Sequence, residues 1–181
     1  MDSDEISENF FLFNDDFFVL KRPRFEFINF AYGTLDKRIK DLESNLGNSS
    51  TYSVSLKKLN NKLKEKNYDT INFALHLPML LNKEMVKKTF AILPGNTMFR
   101  SAYGNINEIP YMYHKDVKIY DNFSTPERDW DFVSTTEESF KKGKIGKYIR
   151  NVFDKPSKYE INKPKEETRE LYTEEGEDRY C

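Results

Sequence analysis

The stretch FFLFNDDFFVLKRPRFEFINFAY, Phe10 to Tyr32, places large aromatic rings beside fixed positive charges more densely than any other part of the chain. Two apolar clusters, at 10–13 and 17–20, lie on either side of a polar step at 14–16 that suits a turn, and they are predicted to be two short strands or two anchor segments. After Pro23, apolar and polar residues alternate, which favours an extended segment. Because aromatic side chains dominate both cores and interfaces, the stretch is predicted to be either part of the core or an arm that anchors the protein to a partner.

The chain has 181 residues, which suits one domain together with some unpacked chain. The apolar share is 38% and the charged share is 33%, against the usual ~45–50% and ~25% for globular domains. Part of the chain is therefore predicted not to be globular. We expect an acidic disordered lead at 1–9, a single body at 10–154, and a charged tail at 155–181 that is disordered or ordered by a partner.

Formal charge is unevenly distributed, although the net charge is only -1. Residues 1–20 carry six acids and no base, and residues 155–181 carry six bases and eight acids. The body at 21–154 carries 23 bases and 16 acids. A basic body attracts polyanions, and acidic ends can screen that surface or meet a basic partner. The alternative is a set of solvated charged faces without a partner.

Cys181 is the only cysteine, which excludes an internal disulfide and a cysteine-based metal site. The N-terminus has no basic region of the kind that begins a signal peptide, and no apolar run approaches the ~20 residues of a membrane span. We therefore expect a soluble protein of a reducing compartment, cytosolic or nuclear, and place it in the cytoplasm.

Leucine spacing predicts a helical hairpin in the first half of the chain. Leu35, Ile39, Leu42 and Leu46 share one helix face, between a capping Thr34 and a terminating Gly47. A second helix at 53–66 carries an apolar stripe of its own. Core packing is the more ordinary interpretation of both stripes.

The second half is less regular. The apolar run at 68–81 is predicted to be the most buried helix, broken near Pro78. Asn82 is predicted to cap a further helix that ends at Pro94. Residues 96–132 lack helical periodicity, and only 116–120 alternate like a strand, so this segment is predicted to wrap the body or a partner. A capping box beginning at Ser134 predicts a last helix, whose middle reads KKGKIGKYIR (141–150) and is weakened by Gly143 and Gly146.

The fold class predicted from these segments is mainly α: a small helical body consisting of a helical hairpin and two or three further helices. Long extended segments, minor β content and disordered acidic ends complete it.

The sequence contains no complete catalytic motif. The sequence around Gly146-Lys147 lacks both the earlier glycine and the following hydroxyl of a phosphate-binding loop. His76 is interpreted as a core residue, and neither it nor His114 has metal-ligand spacing. Acids at 127, 129 and 131 could bind a hard cation, but acids after a proline are commoner in the first turn of a helix. We therefore expect no enzyme activity, no cofactor and no metal.

Binding remains as the function. Lysine and arginine neutralise phosphates, and exposed rings stack on unpaired bases, so two basic clusters predict RNA contact. The candidate RNA-binding residues are Lys21, Arg22, Arg24, Lys141, Lys142, Lys144, Lys147 and Arg150. The candidate aromatic anchors are Phe17, Phe18, Phe25, Phe27 and Tyr148. Lysine predominates over arginine, which predicts backbone contact with little sequence specificity.

The heavy use of Lys, Asn, Phe, Tyr and Ile, as in KKLNNKLKEKNYDTINF (Lys57 to Phe73), resembles proteins of AT-rich microsporidian genomes. A short, near-neutral chain with a basic body and extended arms is similar to the microsporidian ribosome dormancy factors. The resemblance implies a non-enzymatic factor near the tRNA exit site that blocks translation by occupying a tRNA or mRNA path. Its partners would be rRNA and ribosomal proteins, and it would be monomeric when free. The alternative is a scaffold or adaptor subunit of a complex that contains protein alone.

Overall fold

The computed structural model describes residues 5–22, 29–46, 50–96 and 98–155. Within them, helices α1 (Leu35–Leu46) and α2 (Thr51–Glu65) form the hairpin that the leucine spacing predicts. Lys57 pairs with Glu43 at 2.5 Å, and Lys64 pairs with Asp36 at 2.7 Å, so the two helices run antiparallel. The predicted Thr34 cap is confirmed, because its hydroxyl accepts a hydrogen bond from the Lys37 amide at 3.2 Å.

Two further helices follow. Helix α3 (Lys83–Ile92) begins at the predicted cap, Asn82, whose side chain accepts from the amides of Glu84 and Met85. Helix α4 (Phe99–Ile106) contradicts the prediction that 96–132 has no regular helix. Every residue of α4 from Ser101 to Ile106 is buried. The helix has only eight residues, and Gly104 and Asn105 are weak helix formers, which explains why the sequence did not predict it.

The strands in the described residues are short. They are β1 (Asn9–Leu12), β2 (Phe17–Val19), β3 (Asn29–Ala31), β4 (Met79–Asn82), β5 (Tyr111–Tyr113), β6 (Lys118–Ile119) and β7 (Phe132–Thr135). They form three small sheets: β1 antiparallel to β4, β3 parallel to β5, and β2-β7-β6 with β7 in the centre.

The prediction of a buried helix at 68–81 is wrong. This segment is extended, with Phe73, Leu75, Leu77, Met79 and Leu81 buried at every second position. Side chains satisfy part of its backbone, as the Ser101 hydroxyl and the Asn105 amide oxygen accept hydrogen bonds from its amide groups. A continuous apolar run is ambiguous between a buried strand and a buried helix, and Pro78 favours the strand.

The prediction of a mainly α fold with minor β content is also wrong. In the described residues, 42% of positions are helical and 18% are in strands, so the fold is a small mixed α/β fold. The β content was underestimated because all seven described strands have only two to four residues, too few to establish a period firmly.

Four hydrophobic clusters hold these elements together. The first lies between the hairpin, Leu93 and α4, and the second lies between β1, β4, β3, α3 and α4. The third joins the β2-β7-β6 sheet to the last two helices of the described chain. A smaller fourth cluster of Leu75, Leu77 and Val117 packs against Phe30 and Phe132. In the described ranges, no helix combines the length and apolar character needed to cross a membrane.

Candidate nucleic-acid interface

The basic segment KKGKIGKYIR forms a corner between two helices rather than the single predicted helix. Helix α5 (Glu137–Lys142) ends at Gly143, and α6 (Lys144–Val152) begins directly after it. The Lys144 amide donates to the Asn122 carbonyl at 3.0 Å, so it does not continue the hydrogen-bond ladder of α5. The break separates Lys142 from the lysines of α6 and fixes their relative directions.

The capping box lies two residues later than predicted. Ser134 belongs to β7, and Thr136 is the cap, with its hydroxyl accepting from the Ser139 amide and the Ser139 hydroxyl accepting from the Thr136 amide. The Ser139 hydroxyl also donates to the Ile119 carbonyl at 2.8 Å. The start of α5 is therefore joined to β6.

Thr136→Ala should lower the free energy of unfolding by about 1 kcal/mol, because it removes the acceptor for an orphan helix amide. Urea unfolding at neutral pH measures the change. Thr125→Ala, at an exposed position, is the control and should stay within about 0.5 kcal/mol of the wild type. Equal stability of the two variants would contradict the cap.

Gly146 permits the two helices to meet. A Cβ atom at this position would overlap the carbonyl oxygen and carbonyl carbon of Phe140, which belong to the backbone and cannot rotate away. Arg150 completes the corner, as its guanidinium donates to the Phe140 carbonyl at 2.8 Å and lies 5.4 Å from the centre of the Phe140 ring. Arg150, a candidate RNA-binding residue, thus has a structural contact.

Helix α6 is amphipathic. Ile145 and Ile149 are buried against β6 and β7, while Lys144, Lys147 and Tyr148 are exposed. Tyr148 keeps 39% of its surface exposed. Lys142, at the end of α5, is exposed as well. We refer to Lys142, Lys144 and Lys147 as the lysine face.

The charges of this surface differ in availability. Lys141 pairs with Glu137 at 2.8 Å, and this hydrogen bond holds the pKa of the Glu137 carboxyl below its usual value. None of the three lysines of the lysine face makes an ion pair with another described residue. These ammonium groups are therefore available to phosphates.

Part of the N-terminal stretch packs on the third hydrophobic cluster, which also contains Ile145 and Ile149 of α6. Phe18 stacks on Phe140 with ring centres 5.6 Å apart, and Leu20 packs with it. Lys21 follows directly and donates to the Arg128 carbonyl, and Arg22 is exposed. Both basic segments thus border one hydrophobic cluster. Arg24, Phe25 and Phe27 lie outside the described residues.

The two described N-terminal anchors pack on the protein itself. Phe17 meets Phe13 and His76 edge to face, with ring centres 6.1 and 6.4 Å apart. Phe18 is covered by Phe140 and Phe153. Tyr148 is thus the described candidate anchor that counts as exposed, with 39% of its surface accessible.

A separate polar network, centred on His76, was not indicated by the sequence. His76 Nδ1 is 2.8 Å from Asp116 Oδ2, and the Asp116 Oδ1 atom accepts from the His76 amide at 2.9 Å. Lys118 Nζ is 3.3 Å from His76 Nε2 and 2.7 Å from Asp16 Oδ2. The same oxygen of Asp16 accepts from the Ser134 hydroxyl at 2.9 Å. The network ties the turn before β2 to β6 and β7.

Both carboxylates of the network are stabilised as anions. Burial would raise the pKa of Asp116, but hydrogen bonds from the His76 ring and amide outweigh burial and leave that pKa below its usual value. Burial likewise opposes ionisation of Asp16, yet hydrogen bonds from Lys118 and Ser134 bring its pKa down. The network therefore favours the charged form of each carboxyl group.

The sequence offered one partial signal for this network, the strand-like alternation at 116–120, of which Lys118 and Ile119 form β6. His76 was interpreted as a satisfied core residue, and spacing did not reveal its partners because they lie 40 and 42 positions away. In the described residues, no three His, Cys, Asp or Glu side chains come together as a metal site would require. The acids at 127, 129 and 131 precede β7 and do not begin a helix.

Comparison with known proteins adds no relative, since no protein-family model, curated protein or solved structure matches this chain.

Proposed function

We propose that the protein is a non-enzymatic, ribosome-associated factor that binds rRNA through the lysine face and blocks translation by occupying a tRNA or mRNA path. Ribosomal proteins would meet its acidic ends, and the protein would act in the cytoplasm of a dormant cell. The RNA part of the proposal rests on the lysine face. The ribosome and dormancy part rests on the compositional resemblance described above.

The observation that supports RNA binding is that three exposed ammonium groups lie around one helix corner without ion pairs in the described residues. An ammonium group is a point charge on a flexible stem, so it neutralises phosphates without reading bases. The half-exposed ring of Tyr148, on the same face of α6, offers a surface on which an unpaired base can stack. We therefore expect binding that depends on salt and hardly on sequence.

The decisive experiment compares two variants of equal charge. Lys142→Gln/Lys144→Gln/Lys147→Gln removes the lysine face, and Lys58→Gln/Lys62→Gln/Lys66→Gln removes three exposed lysines of the hairpin and its end. Fluorescence anisotropy with a labelled rRNA fragment at 50–200 mM salt should show the slope of log K against log salt reduced by about 2 in the first variant. The second variant should behave as the wild type. Equal losses in both variants would reduce the effect to net charge and contradict the proposed site.

Sedimentation of native cell extract tests the ribosome part. The protein should travel with ribosomal subunits or monosomes and return to the top of the gradient after nuclease treatment. Finding it at the top in both gradients would end the ribosome proposal while leaving RNA binding open to the anisotropy measurement.

A scaffold role in a complex of proteins is the second candidate, and one observation favours it. Met112, Tyr113 and Phe123 expose 54%, 65% and 80% of their surfaces. Aromatic and methionine side chains are enriched at protein interfaces. Co-purification with proteins that survives both nuclease and high salt would support the scaffold role over RNA binding.

A further inference from the structure

A cavity of about 570 Å³ opens beside the polar network, between the hairpin and the extended segment at 74–76. Its size falls within the roughly 300–1,000 Å³ of small-molecule sites. Leu42, Leu75, Met98 and Phe99 form its apolar side. His76, Asp116 and Lys118 of the polar network reach its other side, where they already satisfy one another.

Arg100, at the start of α4, contributes a charge that is not neutralised by contact. Its guanidinium donates to the Leu77 carbonyl at 2.6 Å, to the Leu12 carbonyl at 3.2 Å and to Asn14 Oδ1 at 2.8 Å. These are neutral acceptors, and no carboxylate among the described residues forms an ion pair with it. A guanidinium group has five N–H donors, so donors remain after these three bonds.

Burial without a contacting counterion destabilises the charged form of the Arg100 side chain, and its pKa reflects this. Burial lowers the pKa of Arg100 to about 10, and the charges of Asp116 and Asp16 offset burial only in part. A buried cation without a contacting counterion is stabilised by any anion that reaches it. An anion can reach Arg100 through the cavity, because Arg100 is one of the residues that line it.

Arg38 of α1 adds a second cation to the cavity wall. It is half-buried and makes no ion pair with the described residues. Tyr52 and Tyr120 also line the cavity and keep 37% and 59% of their surfaces exposed. The wall thus combines two arginines without contacting counterions, two phenol groups and an apolar side.

We propose that this cavity binds a small organic anion whose carboxylate or phosphate group meets Arg100 and Arg38 and whose apolar body lies against Leu42 and Leu75. None of the residues that line the cavity belongs to the lysine face. The chemistry fits either head group, since both accept charge-assisted hydrogen bonds from guanidinium.

Titration of the full-length protein with octanoate, octyl phosphate and octanol, followed by amide NMR shifts, tests the proposal. Octanoate or octyl phosphate should shift the amides of Ala74 and Ser101, and the stronger of the two identifies the preferred head group. Octanol should bind at least about tenfold more weakly, because it cannot form the charge-assisted hydrogen bonds. Octanol binding as tightly as both anions, or no shift at these amides with either anion, would overturn the proposal.

Matched variants locate the charge. Arg38→Gln should weaken binding of the preferred anion about tenfold, since it removes one charged donor. Lys40→Gln removes an exposed charge from the same helix away from the cavity and should leave binding unchanged. Circular dichroism checks that both variants fold, and Tyr52→Phe supplies a second test by removing a hydroxyl donor from the wall. Unchanged anion affinity in both Arg38→Gln and Tyr52→Phe would contradict the assigned site.

Discussion

Gly146→Ala should lower the free energy of unfolding by about 3 kcal/mol or more, which is large for one methyl group. The added Cβ would overlap the Phe140 carbonyl, so α5 and α6 could meet only after a backbone shift. That shift would also separate Arg150 from the Phe140 carbonyl and open the cluster that contains Ile145. Alanine gains up to about 1 kcal/mol in intrinsic helix propensity, which offsets only part of the loss.

Urea unfolding followed by far-UV circular dichroism measures this effect, with Lys147→Ala as the control. Lys147 is the next residue of the same helix and is exposed, so its replacement should change stability by less than about 0.5 kcal/mol. Gly146→Ala should lower the thermal midpoint by about 10 °C. A Gly146→Ala protein as stable as the wild type would mean that the helix corner is not packed as described.

The parts of the fold that the sequence predicts are those fixed by local chemistry. The Thr34 cap, the Asn82 cap and the apolar stripe of α1 each depend on residues within one or two helix turns, and the structure confirms the two caps and the stripe from Leu35 to Leu42. The break at Gly143 was missed because glycine was counted only as a weak helix former. Its role depends on the backbone of Ser139 and Asn122, which spacing does not reveal.

The β content was underestimated because its determinants are distant. β3 pairs with β5 across about 80 residues, and β1 pairs with β4 across about 70. The extended segment at 68–82 obtains hydrogen bonds from side chains of α4, a helix that periodicity did not find. Because α4 was not predicted, the hydrogen-bond partners of the extended segment were not predicted either.

The candidate sites also divide into one that is set by neighbouring residues and others that are set by residues distant in the chain. The lysine face is readable from the sequence because its charges follow one another along the chain, and the structure adds the direction in which they point. The polar network and the cavity join residues from the turn before β2, from 74–76, from α4 and from β6. No spacing rule connects these positions, so chemistry that depends on the assembled fold was not predictable.

Asp116→Asn should lower the free energy of unfolding at pH 7 by about 2 kcal/mol, because it removes a charged acceptor from a mostly buried network. One asparagine oxygen can still accept from the His76 amide, but the NH2 group then faces His76 Nδ1. If the ring responds by protonating Nε2 instead, that nitrogen becomes a donor toward Lys118. The His76 ring therefore cannot form a favourable hydrogen bond both to the new asparagine and to Lys118.

The pH dependence of this loss identifies its cause. The folded pKa of Asp116 is lower than its ordinary value, so its stabilisation is present above the unfolded pKa of about 4 and is lost as the pH falls through the folded value. The stability gap between wild type and Asp116→Asn should therefore be widest above about pH 5 and should narrow below about pH 4. Asp15→Asn, at an exposed neighbour of Asp16, should show no gap at any pH. A gap for Asp116→Asn that stays constant from pH 7 to pH 3 would mean that shape, and not the charge of the carboxylate, stabilises the network.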